Sequence, residues 1–388
     1  MEPVSILTVK AKLPLYKGEE LATRVELIQL EEVGFEIVSQ KDLYEVGDKA
    51  VYIQPDYNLS DLPIFLDFIA PKGSTSNSLL GKVDGIPKRI RARKFNLHRG
   101  DGVVIYSNGI LLPISEVKEE IGDIVFSCDL TKELGITKYE EPEPSSNMKQ
   151  STGLKFPSFL YRTDETNINM LYGHIENQLT YPIILIGTQK IDGSSITIGV
   201  TDEFPEGFIC SRNMRIPFTY KKVTGRRNKT LLEKLMFWTN PDLRIVEEFN
   251  NESIFLQIGR PYLNALLAKG KNNVVLRGEL NGSGCKGSGN KLNPSKGEAN
   301  NIKFFNIDTK ECDGQYRKLP YYSYTAFCRE FNFQTVPFIF EKTFNSKQEI
   351  IDTCEAYFKD HLIEGIVLRT PDSKFSTKYM NNYYDSKK

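Results

Sequence analysis

Apolar and polar positions alternate in short bursts through the first part of the chain. RVELIQLEEV (24–33), FEIVSQ (35–40), KAVYIQ (49–54), GVVIYS (102–107) and GILLPI (109–114) each carry an apolar or alternating run of strand length. EVGDK, HRGDG and SNG separate them, and such Gly- and Asp-bearing groups supply turn conformations. Several short strands at this spacing predict a small barrel or sandwich over residues 1–131. The next stretch, KELGITKYEEPEPSSNMKQSTG, is rich in Glu, Pro and Ser and reads as a linker over 132–153. After it the period changes. TLLEKLMFWTNPDLRIVEEF (230–249) and SKQEIIDTCEAYFKDHL (346–362) have helical spacing, whereas NVVLRGEL (273–280), IKFFNID (302–308) and EGIVLRT (364–370) read as strands. Residues 154–388 are therefore expected to form a second, α+β unit.

Composition excludes several classes. Lys+Arg and Asp+Glu are each 50, so attraction to a polyanion must come from local patches. The six cysteines (128, 210, 285, 312, 328, 354) form no CxxC pair, which argues against a zinc ribbon or a dense disulfide framework. Three histidines (98, 174, 361) leave little for a His-rich metal site. The opening MEPVSILTVKAKLPLYKG lacks the basic-then-apolar pattern of a signal peptide. No stretch approaches the ~20 apolar residues of a membrane span, so no membrane is expected. A reducing intracellular compartment, cytoplasm or nucleus, fits best.

One local patch stands out. KVDGIPKRIRARKFNLHR (82–99) holds Lys82, Lys88, Arg89, Arg91, Arg93, Lys94 and Arg99 against a single acid, Asp84. Strand alternation would put Arg89, Arg91 and Arg93 on one face and Ile90 on the other. Phosphate neutralisation is the obvious use, with Phe95 and Tyr57 as stacking residues. A charged edge strand that discourages aggregation is the alternative. A second basic run, KKVTGRRNK (221–229), is either a nucleic-acid contact or a solvated loop.

Candidate chemistry begins at Lys190. It sits between the apolar run YPIILI and the turn dipeptide Asp192-Gly193, after which the chain resumes as ITIGV. That reads as strand, turn, strand, and a plain hairpin with an exposed lysine is one account. Downstream islands give another: CSRN (210–213), LRGEL (276–280), KFFNID (303–308), IEGIVLR (363–369) and FSTKYM (375–380). In order and spacing they resemble the motif series of the covalent nucleotidyltransferases, the superfamily of ATP-dependent DNA ligases, RNA ligases and mRNA capping enzymes. KxDG resembles motif I, CSRN motif Ia, RGEL motif III, FFNID motif IIIa, EGIVLR motif IV and the FSTK lysine motif V.

The resemblance implies that Lys190 is the nucleophile that takes AMP from ATP and that Lys378 contacts the α-phosphate. It implies nucleotide contacts from Arg212, Glu279, Phe305, Ile307 and Glu364, with Glu279 on the ribose hydroxyls and Arg212 on the ribose or the 5′-phosphate end, and a Mg²⁺ or Mn²⁺ site at Asp192, Glu279 and Glu364. The chemistry agrees. An amine attacks only when unprotonated, and free lysine, with a pKa of about 10.4, is mostly protonated at neutral pH. A nearby cation disfavours the ammonium, and carboxylate oxygens suit Mg²⁺, which often keeps several waters. The glycine-rich NGSGCKGSGNK (281–291) lacks the Walker A pattern and reads as a loop beside the pocket.

Domain order narrows the resemblance. Only ten residues follow Lys378, so the further OB-fold common to DNA ligases and capping enzymes is not expected after it. An OB-like barrel first is similar to the Naegleria-type RNA ligases, and FPSFLYRTDETNI (156–168) resembles their lead-in to motif I. The implied second unit is an ATP-grasp-like adenylylation domain of antiparallel sheets with helices. Arg89, Arg91, Arg93 and Lys94 are then the expected RNA contacts. The expected activity is ATP-dependent joining of RNA 3′-hydroxyl and 5′-phosphate ends, on a nicked duplex, by a monomer. A DNA ligase or capping guanylyltransferase is the alternative enzyme, and a binding protein with an inactive transferase fold is the alternative class. Two positions depart from the pattern. Ile307 stands where many relatives carry an aromatic residue, and Met380 where many carry a second motif V lysine.

Overall fold

The structure is a computed structural model that describes residues 2–69, 80–83, 86–124, 129–139, 154–171, 179–226, 243–249, 253–283 and 290–387. Among the described residues strand outweighs helix, in a mixed α+β chain. The first unit is built on a five-stranded antiparallel sheet in the order Ile110–Pro113, Lys49–Ile53, Val4–Leu13, Val25–Leu30, Glu36–Gln40. Its two edges nearly meet. Asn108 N donates to Glu36 O at 3.0 Å, and Val38 N donates to Ser107 Oγ at 3.0 Å. Gly109 makes this corner possible: its φ is +98°, and a Cβ there would lie 2.4 Å from the Tyr52 ring.

Both faces of the sheet are covered, which explains runs such as AVYI and ILL that do not alternate. Leu7, Ala50, Tyr52 and Leu111 pack on one side, and Val51, Ile53 and Leu112 on the other. The longest strand, Val4–Leu13, is central to the sheet yet is not among the runs that the sequence pattern picks out.

The expected linker begins too early. Leu134 and Ile136 are buried beside Phe65 and Val117, and Thr137–Lys138 pairs with Tyr57–Asn58. The Glu, Pro and Ser residues that suggested a linker lie at 140–146, within the span 140–153 outside the described residues.

The second unit contains two larger antiparallel sheets. Seven strands run in the order Leu154–Lys155, Met214–Arg215, Phe204–Cys210, Ser194–Thr201, Val274–Asn281, Asn301–Lys310, Tyr316–Lys318. Four more run Phe338–Phe344, Ile183–Lys190, Gly365–Arg369, Ser376–Met380. The helix Ile254–Ala268 lays Leu256, Leu263 and Leu266 on the larger sheet, against Ile196, Ile198 and Ile209. The helix expected in SKQEIIDTCEAYFKDHL forms as Lys347–Asp360, where Ser346 Oγ accepts from Glu349 N at 3.2 Å. The helical reading of 230–249 fails within the described residues: Leu243–Phe249 is a strand paired with Thr219–Arg226, and 230–242 lies outside them. Ile245, Val246 and Phe249 are residue types that favour strand over helix, and that preference overrides an approximate helical period.

Candidate active site

KIDG joins the two sheets of the second unit. Lys190 ends Ile183–Lys190, in the four-stranded sheet, and Ser194 begins Ser194–Thr201, in the seven-stranded one. The hairpin account of this stretch is therefore wrong: neither strand pairs with the other. A cleft of about 450 Å³ opens at the junction, within the usual size range for small-molecule sites. Gly193 is required by close approach, because a Cβ there would lie 2.4 Å from Leu280 O and 3.0 Å from Glu279 Cγ. The turn after Lys190 thus lies directly against Glu279.

Strand register gathers the distant islands. Lys190 is paired with Gly365, which brings Glu364 beside it, and Val367 is paired with Lys378. Lys190 Nζ donates to Glu364 Oε2 at 2.5 Å, and Glu364 is 4% exposed, so the carboxylate is committed inside the cleft rather than displayed on its rim. Lys378 is partly buried in the same cleft. Burial lowers its pKa, and the neighbouring Lys190 charge lowers it further, against the opposing pull of Asp56, Asp164 and Glu364. The lead-in segment runs alongside: Lys378 N donates to Thr166 O at 3.0 Å, and Arg162 to Asn167 line the cleft. Met380 also lines it, in register with Gly365.

The three carboxylates expected to share a metal do not converge. Among the described residues, no set of three His, Cys, Asp or Glu side chains is placed to hold an ion. Asp192 is buried and anchors the turn: its Oδ2 accepts from the Tyr384 hydroxyl at 2.8 Å, and its carbonyl accepts from Asn293 Nδ2 at 2.9 Å. Asp192, Glu279 and Glu364 all line the cleft. This donor set does not chelate a bare ion. It fits a divalent cation that keeps its own waters and takes phosphate oxygens, as Mg²⁺ commonly does.

At the inner end, Ile307 is not a nucleotide contact. It is fully buried in the core with Leu276, Ile302 and Phe304. A bulge between Arg277 and Gly278 in the pairing with Asn301–Lys310 shifts the alternation, and Phe305 faces the cleft instead. Aligning the motif on Asp308 carries no record of that bulge.

The first unit also walls the cleft, through Phe35, Gln54 to Tyr57, Arg89, Lys138 and Tyr139. Arg89 is buried there, donates to Asp56 Oδ1 at 2.6 Å and stacks over the Tyr139 ring at 4.0 Å. Burial works against the Arg89 charge, but Asp56 outweighs it and raises the pKa. The expected row of three arginines on one strand does not exist. Arg89 lies in Ile86–Ile90, Arg93 and Lys94 begin Arg93–His98 in a different sheet, and Arg91 lies between. Lys94 is exposed, and Arg91 and Arg93 are partly so. Arg212 lines the cleft and donates to both Asp164 oxygens at 2.9 Å, while Lys138 of the first unit reaches Asp164 at 2.7 Å. Burial alone would raise Asp164, but the Lys138 hydrogen bond and the Arg212 charge hold it below the usual carboxylate value.

Sequence reasoning missed Asp56, Asn293 and Tyr384, which carry no motif and are brought in by long-range packing. Of the second basic run, 227–229 lies outside the described residues, as do 284–289 of the glycine-rich stretch.

Comparison with known proteins agrees with this geometry. The family model described as RNA ligase matches residues 184–380, slightly more than half of the chain. Solved structures of Naegleria gruberi RNA ligase share the fold. A mutant with ATP and Mn superposes with a TM-score of 0.70 at 21% identity, covering 99% of this chain and 96% of that one. A mutant with AMP and Mn gives 0.71 at 21% identity, covering 100% and 99%. The RNA ligase with PPi gives 0.69 at 22% identity, covering 99% and 98%. No curated protein sequence matches.

Proposed function

The chain belongs to the RNA ligase family, and from that premise we propose that it is an ATP-dependent enzyme joining an RNA 3′-hydroxyl to a 5′-phosphate. The observation that carries this reading is Lys190 at the sheet junction, 2.5 Å from Glu364, with Lys378 as a second amine in the same cleft. The ATP, AMP, PPi and Mn in the Naegleria structures support the choice of nucleotide and metal.

The first step is attack by the Lys190 amine on the α-phosphorus of ATP. A nitrogen–phosphorus bond forms and the bond to pyrophosphate breaks. The ammonium must first lose a proton, and Glu364 Oε2 is placed to take it. Lys378 offsets negative charge on the α-phosphate as the pentavalent phosphorus forms. Glu279 and Glu364 would accept hydrogen bonds from the waters of a divalent cation, which supplies charge neutralisation on the triphosphate.

In the second step an oxygen of the RNA 5′-phosphate attacks the lysyl-AMP phosphorus and Lys190 leaves as an amine. In the third the RNA 3′-hydroxyl attacks the activated 5′-phosphate, forms the phosphodiester and releases AMP. Arg212 is assigned to the 5′-phosphate end, an anion for which its present partner Asp164 must give way.

Residues 1–139 are read as an OB-like unit that grips RNA and also completes the cleft, and 154–388 as the adenylylation unit. The substrate is read as a nicked duplex and the working unit as a single chain. No helix among the described residues is long and apolar enough to cross a membrane. Four described cysteines, Cys210, Cys312, Cys328 and Cys354, are free thiols, which favours a reducing intracellular compartment.

The test is a 5′-phosphorylated nick with Mg²⁺ or Mn²⁺ and α-labelled ATP or GTP. Label from ATP, and sealing that requires RNA at the 3′-hydroxyl side, are expected. Label from GTP would point to capping chemistry, equal sealing of an all-DNA nick to a DNA ligase, and no label to an inactive transferase fold.

A further inference from the structure

The inner end of the cleft holds a charged donor that the reaction above leaves unused. Arg277, on Val274–Asn281, is 1% exposed and yet lines the cleft. Two of its nitrogens are committed: Nε donates to Asp308 Oδ2 at 2.7 Å, and Nη1 donates to Thr197 Oγ1 at 3.1 Å. Asp308 is itself braced, accepting from the Tyr161 hydroxyl at 2.7 Å and from Asn306 Nδ2 at 2.8 Å. The Tyr161 ring lies 5.0 Å from the guanidinium carbon. These contacts fix the plane of the guanidinium. The third nitrogen, Nη2, is buried and has no hydrogen-bond partner among the described residues. A buried donor left unsatisfied is costly, and such groups are rare in folded proteins.

Register says what part of a ligand would meet it. Residues on one face of a strand recur roughly every 6–7 Å. Glu279 is paired with Ser195, beside the turn that follows Lys190, and Arg277 is paired with Thr197, one same-face step further from that turn. A nucleotide with its α-phosphorus at Lys190 and its ribose at Glu279 therefore brings its base to Arg277. We propose that Arg277 Nη2 donates a hydrogen bond to a ring nitrogen of the purine, making Arg277 a base-recognising residue of the nucleotide site. The inference rests on the ATP reading given above. A guanidinium has donors only, and adenine offers N1, N3 and N7 as in-plane acceptors. If N1 is the partner, the same contact excludes guanine, which carries a hydrogen there.

The test uses the full chain with ATP and its 1-deaza, 3-deaza and 7-deaza analogues, each replacing one ring nitrogen by C–H. In the wild-type protein one analogue is expected to form the Lys190 adduct with kcat/KM roughly 10- to 100-fold below that of ATP. Arg277→Lys keeps a cation for Asp308 but removes Nη2, so ATP should fall to the level of that analogue and the gap should close. Thermal unfolding is followed alongside. Should Arg277→Lys fail to fold, the pair Arg277→Met with Asp308→Asn removes the same donor without stranding the carboxylate. A purely structural Arg277 would lower stability and the use of ATP and every analogue alike. Equal use of all three analogues by the wild type, or a gap that persists in the variant, overturns the assignment. Absence of any adduct with ATP overturns the nucleotide reading and this inference together.

Discussion

The Lys190 turn and the 82–99 segment both announce positive charge in the sequence, and the fold treats them in opposite ways. Around Lys190, islands scattered over almost two hundred residues converge on one cleft, because Gly365 and Lys378 arrive by pairing in a single sheet. In the 82–99 segment, neighbours in sequence are parted. Arg89 turns inward to Asp56, while Lys94 lies exposed in another sheet. Ordered islands constrain three-dimensional placement, since each must find its strand. A dense basic run constrains nothing beyond its own charge.

The sharpest way to break this contrast is at Glu364. Glu364→Ala should slow adduct formation by roughly 30- to 1,000-fold, the usual consequence of removing a charged interaction of about 2–4 kcal/mol from a desolvated site. Rapid-quench measurement of the lysyl-AMP adduct checks it, and a wild-type rate would remove Glu364 from the chemistry.

Arg89→Met comes next. It strips the partner from Asp56 and the stacked cation from Tyr139, and should destabilise the chain by about 1–3 kcal/mol. Denaturant unfolding gives the value. A fully stable variant would make Arg89 a simple RNA-binding side chain again.

Arg93→Ala with Lys94→Ala should do the reverse. Stability should change by less than about 0.5 kcal/mol per site. The slope of log RNA affinity against log salt should fall by about one unit for each duplex phosphate that is no longer neutralised. Titrations at several salt concentrations decide it, and an unchanged slope makes these residues a solvated edge.

The smallest effect concerns Lys378, whose ammonium is disfavoured in the fold. At neutral pH the folded wild type carries that penalty and Lys378→Met does not, so the variant should melt higher. As pH rises through the lowered folded pKa towards the ordinary lysine value of 10.5, the wild type sheds the proton and the difference should shrink. Melting curves across that window test the sign.

Much of the site was legible because strand register and motif spacing are both periodic. Lys190, Arg212, Glu279, Glu364 and Lys378 all line the cleft. The misreadings share one cause, which is that local pattern carries no record of a break. Ile307 was misplaced by a bulge, the three arginines by a change of sheet, and the linker by averaging composition across Leu134 and Ile136. Asp192 illustrates a further limit. Its position in KIDG marks it as a candidate site residue, but only the fold reveals that Tyr384, 192 residues away, holds its carboxylate.

The central claim is that Lys190 carries AMP, and a paired assay tests it directly. Wild-type protein and Lys190→Ala are each incubated with α-labelled ATP and a divalent metal, resolved under denaturing conditions, and separately given nicked RNA already adenylylated at its 5′-phosphate. The expected result is labelled wild-type protein, no label on the variant, and sealing of the adenylylated nick by both, since that step needs no lysine nucleophile. A labelled Lys190→Ala protein at wild-type yield would contradict it.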